Sequence, residues 1–236
     1  KKYNLRNKFI KTYSDIENIS KKIDLAIIST TCNNRHLLLK NLKKKCNFKS
    51  LIIEKPLTQS PNELLKLNNI LNDTKKAWVN TDRRSISAYK VIKSKINLKK
   101  KIYMKVEGNS WGICCNSLHF IDLFNFFSEE YIDTILEKKV LRWFPSKRKN
   151  FQELDNGELK LKFNKHELYL SSKKNSLPKN LKIFIKNGEN KFYIKEKNKT
   201  INVKYKNKML FYENKLHSVK FTNIIKKIIL KNKSNL

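Results

Sequence analysis

Leu51-Ile52-Ile53-Glu54-Lys55-Pro56 is the stretch from which the fold of this chain is read. The three apolar residues suit a short buried strand. Pro56 stops the ladder and restricts Lys55 to extended backbone. Lys55 is thereby placed at the carboxyl end of a strand. In open α/β sheets the crevice outside those ends binds ligands, and a lysine there can hydrogen-bond a substrate hydroxyl or carbonyl. The competing reading is a chance lysine before proline, since 47 of the 53 basic residues are lysine.

Working outward, Asp24-Leu25-Ala26-Ile27-Ile28-Ser29-Thr30-Thr31 reads as a second buried strand ending in hydroxyls, followed at once by Asn33, Asn34 and Arg35. Leu37 to Leu42 suits a short helix, and Lys43 to Lys49 is a polar stretch leading to the next strand. A crossover of this length implies parallel strands. Their ends then lie side by side, one offering Thr30 and Thr31, the other Glu54 and Lys55. Pro61 opens a further amphipathic helix over Asn62 to Leu71, which leads into the strand Ala77-Trp78-Val79-Asn80. Residues 1–80 thus read as half of a doubly wound parallel sheet.

The order of these pieces resembles the Gfo/Idh/MocA family of NAD(P)-dependent sugar and polyol oxidoreductases. In that family a Thr-Pro-Asn segment precedes Glu-Lys-Pro; here Thr30-Thr31-Cys32 stands in the first place. The family's next helix, next strand and paired arginines match Asn62 to Asn80 and Arg83-Arg84. Trp111-Gly112-Ile113-Cys114-Cys115-Asn116-Ser117-Leu118-His119-Phe120-Ile121-Asp122 resembles its helix bearing a catalytic histidine. The resemblance covers roughly residues 13 to 127. It implies a partial Rossmann-like domain over 1–80, with NAD or NADP held by Thr30, Thr31, Asn33, Glu54 and Lys55. It implies that Lys55 and His119 share proton transfer with a sugar hydroxyl, and that Arg83, Arg84, Asn116 and Asp122 contact substrate. Histidine titrates near neutrality, and a partly buried lysine can be depressed toward it, which suits both residues to that work.

Two departures accompany the resemblance. The family's aspartate four residues before the histidine is Cys115 here, and Asn116 or Asp122, on the same helical face, is the expected replacement for orienting the imidazole. The alternative for His119 is a core histidine on an apolar helix running to Phe127. The second departure concerns glycine. A dinucleotide site of this kind needs a Gly-rich strand-to-helix turn. The chain's glycines are Gly108, Gly112, Gly157 and Gly188, so Gly-x-Gly-x-x-Gly cannot form. Tyr13-Ser14-Asp15-Ile16 resembles the approach to the family's third or fourth strand, so the first strand and glycine loop are expected to be absent from this chain. Either it is a fragment of a longer product or a degenerate homologue.

Residues 81–236 read as an α+β domain with a mostly antiparallel sheet. Thr81 to Lys95 suits a helix and Ile102 to Val106 a strand, ahead of the His119 helix. Beyond Thr134, alternating runs at 159–163, Leu181 to Lys186, Lys191 to Ile194 and Ile201 to Tyr205 suit strands with one wet face. Asn156-Gly157 and Asn187-Gly188 are expected hairpin turns. A last helix over Leu216 to Leu230 is expected to pack back on the sheet. By resemblance this sheet contacts substrate and pairs with a second copy.

A net charge of +33 ordinarily points to nucleic acid. Here the lysines are spread throughout, and lysine, asparagine and isoleucine dominate together, the pattern of an AT-rich coding sequence. The runs Lys43-Lys44-Lys45 and Lys99-Lys100-Lys101 are expected in turns. Nucleic acid is therefore the least favoured partner; a basic surface also suits the diphosphate of a nucleotide sugar. No stretch approaches ~20 uninterrupted apolar residues, so a membrane span is not indicated, and the cytoplasm is the expected location. Cys32, Cys46, Cys114 and Cys115 lack metal-ligand spacing and read as reduced thiols. The expected protein is an α/β oxidoreductase acting on a sugar or nucleotide sugar, in surface polysaccharide synthesis by resemblance. The alternative from another class is a non-catalytic binding or assembly subunit.

Overall fold

Six residues of β1 (Lys22–Ile28) pair in parallel register with β2 (Asn47–Ile53), from Lys22 opposite Asn47 to Ile28 opposite Ile53. β2 pairs in parallel with β3 (Ala77–Val79), giving a three-stranded sheet in the order β1-β2-β3. Helices α1 (Arg35–Lys45) and α2 (Pro61–Leu71) form the two crossovers and contact each other. Crossovers of one hand between strands taken in order leave both helices on one face. There Ala26, Ile28, Leu51 and Ile53 meet Leu39, Leu42 and Leu67 in a core. Ser60 caps α2, its hydroxyl accepting the Glu63 amide at 3.2 Å, with Pro61 in the first turn where its missing donor costs nothing. This computed structural model describes residues 13–72, 74, 76–145, 151–173, 181–197, 200–214 and 225.

The described residues divide into two compact units, with the break between Asn80 and Thr81. The second holds α3 (Ser87–Ser94), α4 (Ile113–Ser128) and eight strands: β4 (Ile102–Asn109), β5 (Thr134–Pro145), β6 (Gln152–Phe163), β7 (His166–Lys173), β8 (Lys182–Asn187), β9 (Asn190–Glu196), β10 (Thr200–Tyr205) and β11 (Lys208–Glu213). Their order is β11-β10-β9-β8-β4-β7-β6-β5, and β4·β7 is the parallel pair in an otherwise antiparallel sheet. Ile102, Met104 and Val106 of β4 lie at the centre of the core, under Phe120, Leu123, Phe124 and Phe127 of α4. Phe124 meets Phe163 edge to face at 4.8 Å. On the opposite face Lys105, Phe184 and Tyr193 line up across β4, β8 and β9.

Two buried polar side chains organise strand ends. His166 accepts the Ile102 amide on Nδ1 at 2.9 Å, so its ring is neutral in that bond. Asn187 accepts the Asn97 amide at 2.7 Å and donates to the carbonyls of Asn97 at 3.0 Å and Lys100 at 3.2 Å, gripping the turn that leads into β4.

Among the described residues most of the expected helices and strands are present, with differences at their ends and turns. α1 runs through Lys43-Lys44-Lys45 instead of leaving them in a turn, because lysine is a good helix former and a cation is favourable in a last turn. The expected helix over 81–95 divides into a 3-10 turn, Arg83–Ser85, and α3, with extended Ile86 between them. Asn156-Gly157 is no hairpin. It lies inside β6 opposite the irregular stretch of β5 at Val140, where a Cβ on Gly157 would come within 3.1 Å of Leu154. The β6–β7 turn is Asn164-Lys165, with Asn164 in the left-handed region at φ 55°. Asn187-Gly188 does open the β8–β9 hairpin. The expected helix over 216–230 lies, apart from Ile225, outside the described residues.

Candidate active site

The first unit gathers its polar candidates at the carboxyl edge of the small sheet. β1 ends at Ile28, and Ser29, Thr30 and Thr31 emerge exposed. β2 ends at Ile53, where the Glu54 amide still reaches the Ile28 carbonyl at 2.9 Å and the Asn80 amide reaches Ile53 at 2.8 Å. Three strand exits therefore sit side by side. Lys55 is half-buried, and its bond to Pro56 is cis. The Glu54 carboxylate accepts from the buried Asn80 side chain. Asn33 is exposed, with Oδ1 accepting from the Gln59 amide.

Arg35 ties this edge together from below. Its guanidinium is buried, and Nη1 donates to the carbonyls of Glu54 at 2.5 Å, Pro56 at 2.6 Å and Leu57 at 3.2 Å, while Nη2 donates to Thr30. Burial pulls its pKa below the usual arginine range, against the nearby Glu54 carboxylate and Cys32.

In the second unit α4 positions the other candidates. Gly112 precedes it at φ +76°, a conformation that favours glycine; a Cβ there would meet Asn116 at 3.1 Å and Glu153 at 3.2 Å. The helix has no side-chain cap of its own. Instead Glu153 of β6 accepts the Cys114 amide at 2.7 Å and the Cys115 amide at 3.2 Å. Asn116 donates to the Trp111 carbonyl at 2.7 Å, and the Trp111 ring nitrogen donates to Ser171 at 2.8 Å. His119 is half-buried one turn further on. Asp122 holds Arg84 through Nε at 2.9 Å and a second, shorter contact to Nη2. The two side chains expected to orient His119 thus each have a partner outside the imidazole.

Arg83 is separated from Arg84 in role. Its guanidinium lies 4.1 Å over the Phe120 ring and pairs with Glu196, which also accepts from the Tyr89 hydroxyl. Burial works against the Arg83 charge, but Glu196 together with Tyr89 and Asp82 more than offsets this and leaves its pKa raised. Burial, then Glu196, pushes Tyr89 well above the ordinary tyrosine range. Desolvation and the Glu153 carboxylate push the Cys114 thiol up to about 12, so the cysteine at this helix start is not a thiolate near neutrality. All four cysteines are free, and no group of three or more metal-ligating side chains occurs among the described residues.

Sequence reasoning named Asn80 only as a strand residue and gave Arg35, Glu153 and Glu196 no role. Arg35 carried a usable signal: an arginine in a chain that otherwise uses lysine, placed at a helix start where a cation is disfavoured.

No protein-family model matches the chain, and no curated protein matches it by sequence. Among solved structures, it is similar to a dehydrogenase (MviM) from Clostridium difficile, at 17% identity and TM-score 0.72 over 96% of this chain and 76% of that one. It is also similar to UDP-N-acetylglucosamine 3-dehydrogenase GnnA from Acidithiobacillus ferrooxidans, at 12% identity and TM-score 0.68 over 90% and 70%. A third is a super-repressor mutant of Gal80p from Saccharomyces cerevisiae, at 13% identity and TM-score 0.66 over 88% and 66%. The fold is that of the Gfo/Idh/MocA-type oxidoreductases.

The strand exits fit one part of a nicotinamide dinucleotide and not another. Thr30, Thr31, Asn33 and Lys55 supply hydroxyl, amide and ammonium groups at the edge where such folds hold ligands. Residues 13–80 hold no glycine, the residue such folds use where the backbone approaches a pyrophosphate.

Proposed function

We propose that this chain carries the substrate-handling part of an oxidoreductase that transfers hydride between a nicotinamide cofactor and a hydroxyl or carbonyl of a sugar or nucleotide sugar. The observation that carries the reading is Lys55, half-buried at the carboxyl end of β2 beside the hydroxyl-bearing exit of β1, in a fold whose solved neighbours include dehydrogenases. The cofactor supplies the hydride chemistry. By resemblance, Lys55 is assigned the hydrogen bond to the reacting oxygen and His119 the exchange of its proton. By the same resemblance Arg83, Arg84, Asn116 and Asp122 are assigned substrate contact. Thr30, Thr31, Asn33 and Glu54 hold the cofactor's polar edge.

A nucleotide sugar is the favoured substrate class, because the +33 charge suits a diphosphate and one structural neighbour is a UDP-N-acetylglucosamine 3-dehydrogenase. A role in surface polysaccharide synthesis, in a reducing compartment such as the cytoplasm, accords with that class and with four free thiols. The open face of the large sheet, where Tyr193 and Phe211 are 52% and 68% exposed, is the surface for pairing with a second copy; sedimentation of wild type against a Y193E/F211E variant tests it, and equal mass would refute it.

The second reading is a non-catalytic homologue. The lack of glycine before Gly108 favours it, as does a repressor among the solved neighbours. Titration of the chain, and of a gene product extended upstream, with NADH and NADPH separates the two by nicotinamide fluorescence. Binding and UDP-sugar turnover by the extended form support the oxidoreductase; binding by neither supports the second reading.

A further inference from the structure

We infer that Arg35 is the positioning residue that sets the backbone on both sides of Lys55. This deepens the proposed function and rests on it only for the role given to Lys55.

Arg35 stands where its charge is least welcome. It is the first residue of α1, at a helix end that disfavours cations, and it is 2% exposed. Its hydrogen-bond acceptors are neutral backbone carbonyls. Burying a guanidinium is costly, and an apolar side chain of similar volume would fill the space without that cost. The lowered pKa reports the same desolvation, eased by the Glu54 carboxylate nearby. What the guanidinium supplies, and an apolar side chain cannot, is directional bonding to a defined set of oxygens.

The identity of those oxygens carries the inference. Glu54 O precedes Lys55 and Pro56 O follows it, and both converge on the same nitrogen, at 2.5 and 2.6 Å. Leu57 O extends the grip one residue further, at 3.2 Å. The second nitrogen of the fork takes Thr30 O, on the neighbouring strand exit. One rigid plane therefore brackets the lysine backbone and registers it against the hydroxyl-bearing loop. Lysine at position 35 would present a single ammonium, without a planar fork able to span both exits.

Competitive acylation of wild type, R35K and R35M with acetic anhydride, read by peptide mass spectrometry, tests this. Lys66, exposed on α2, is the internal reference. Loss of the bracket frees the Lys55 segment, and its acylation rate relative to Lys66 rises roughly threefold or more in both variants, as expected for a locally opened segment. An unchanged Lys55 rate in folded R35K or R35M, with only a lower melting temperature, overturns the inference and leaves Arg35 as a structural staple. If R35M does not fold, R35K decides, since it keeps the charge. In any form of the protein that turns over a UDP-sugar, R35K lowers kcat by up to about 10²-fold with KM little changed, the signature of a displaced reacting group. Absence of any wild-type turnover would count against the proposed function, while the acylation result would still decide the role of Arg35.

Discussion

The carboxylate of Glu153, carried on β6, accepts the Cys114 amide at 2.7 Å and so closes the start of α4 from a different element. A helix start with open amides lowers a neighbouring thiol's pKa, but here burial first, and then the fixed Glu153 anion on those amides, send the thiol the other way. In E153Q the Cys114 pKa falls from about 12, while burial still holds it above the ordinary thiol range. Alkylation of Cys114 by iodoacetamide at pH 8 then accelerates by about tenfold or more, because the thiolate fraction sets the rate. Peptide mass spectrometry of the alkylated protein measures this. The same change weakens the cap and costs about 1 kcal/mol in urea unfolding.

Arg83, Glu196 and Tyr89 form a partly enclosed charge cluster whose members respond unequally to loss. E196A leaves the Arg83 guanidinium without its carboxylate and costs about 3–5 kcal/mol. Y89F removes one hydroxyl donor from Glu196 and costs about 1 kcal/mol. R83M/E196L, which removes both charges, recovers most of the loss. Urea midpoints for the three variants give the ranking, and a double variant as unstable as E196A would contradict it.

His166 makes stability depend on pH in a definite direction. Its Nδ1 accepts the Ile102 amide, so the fold requires a neutral ring, and burial first, then Lys165, lowers its pKa. Lys101 lowers it further, and Glu130 opposes. The unfolded chain binds the proton more readily, so the contribution is full above about pH 6.5 and is lost as pH falls from there toward the folded value. Urea midpoints between pH 7 and 5 decline for this reason. In H166N the decline is shallower, since an amide oxygen can accept the same bond without titrating.

Lys55 and His119 are the residues on which the catalytic proposal stands. In a form of the protein that turns over, K55A and H119A each lower turnover by about 10²-fold, as expected for lost proton-transfer groups. Steady-state rates with a UDP-sugar measure it, and unchanged rates in both would remove the catalytic assignment.

The fold was legible where hydrophobic patterning and punctuation agree. The helix opened by Pro61 and the turn at Asn187-Gly188 carry their structure in a few adjacent residues, and Leu51-Ile52-Ile53 before Pro56 was enough to place Lys55 at a strand exit. Asn156-Gly157 misled because the same dipeptide serves a tight turn or a close approach inside a strand, and the partner strand decides which. The candidate site was legible only as residue types. That Arg35 grips four carbonyls, or that Glu153 reaches a helix 39 positions away in sequence, depends on tertiary contacts that local pattern does not encode. Arginine was the better guide in a lysine-rich chain. Arg35, Arg83 and Arg84 each meet several acceptors or an ion-pair partner, as a planar fork allows.

The grip of Asn187 on the turn before β4 is shared with one side chain of the turn itself, Asn97, whose Oδ1 accepts the Lys99 amide at 2.9 Å. Both side-chain amides act on backbone groups of Asn97 to Lys101, so the path of the turn is set by Asn187 and Asn97 rather than by the lysine charges it displays. Such a loop can change its charge freely, even reverse it, while the strand it feeds stays in register.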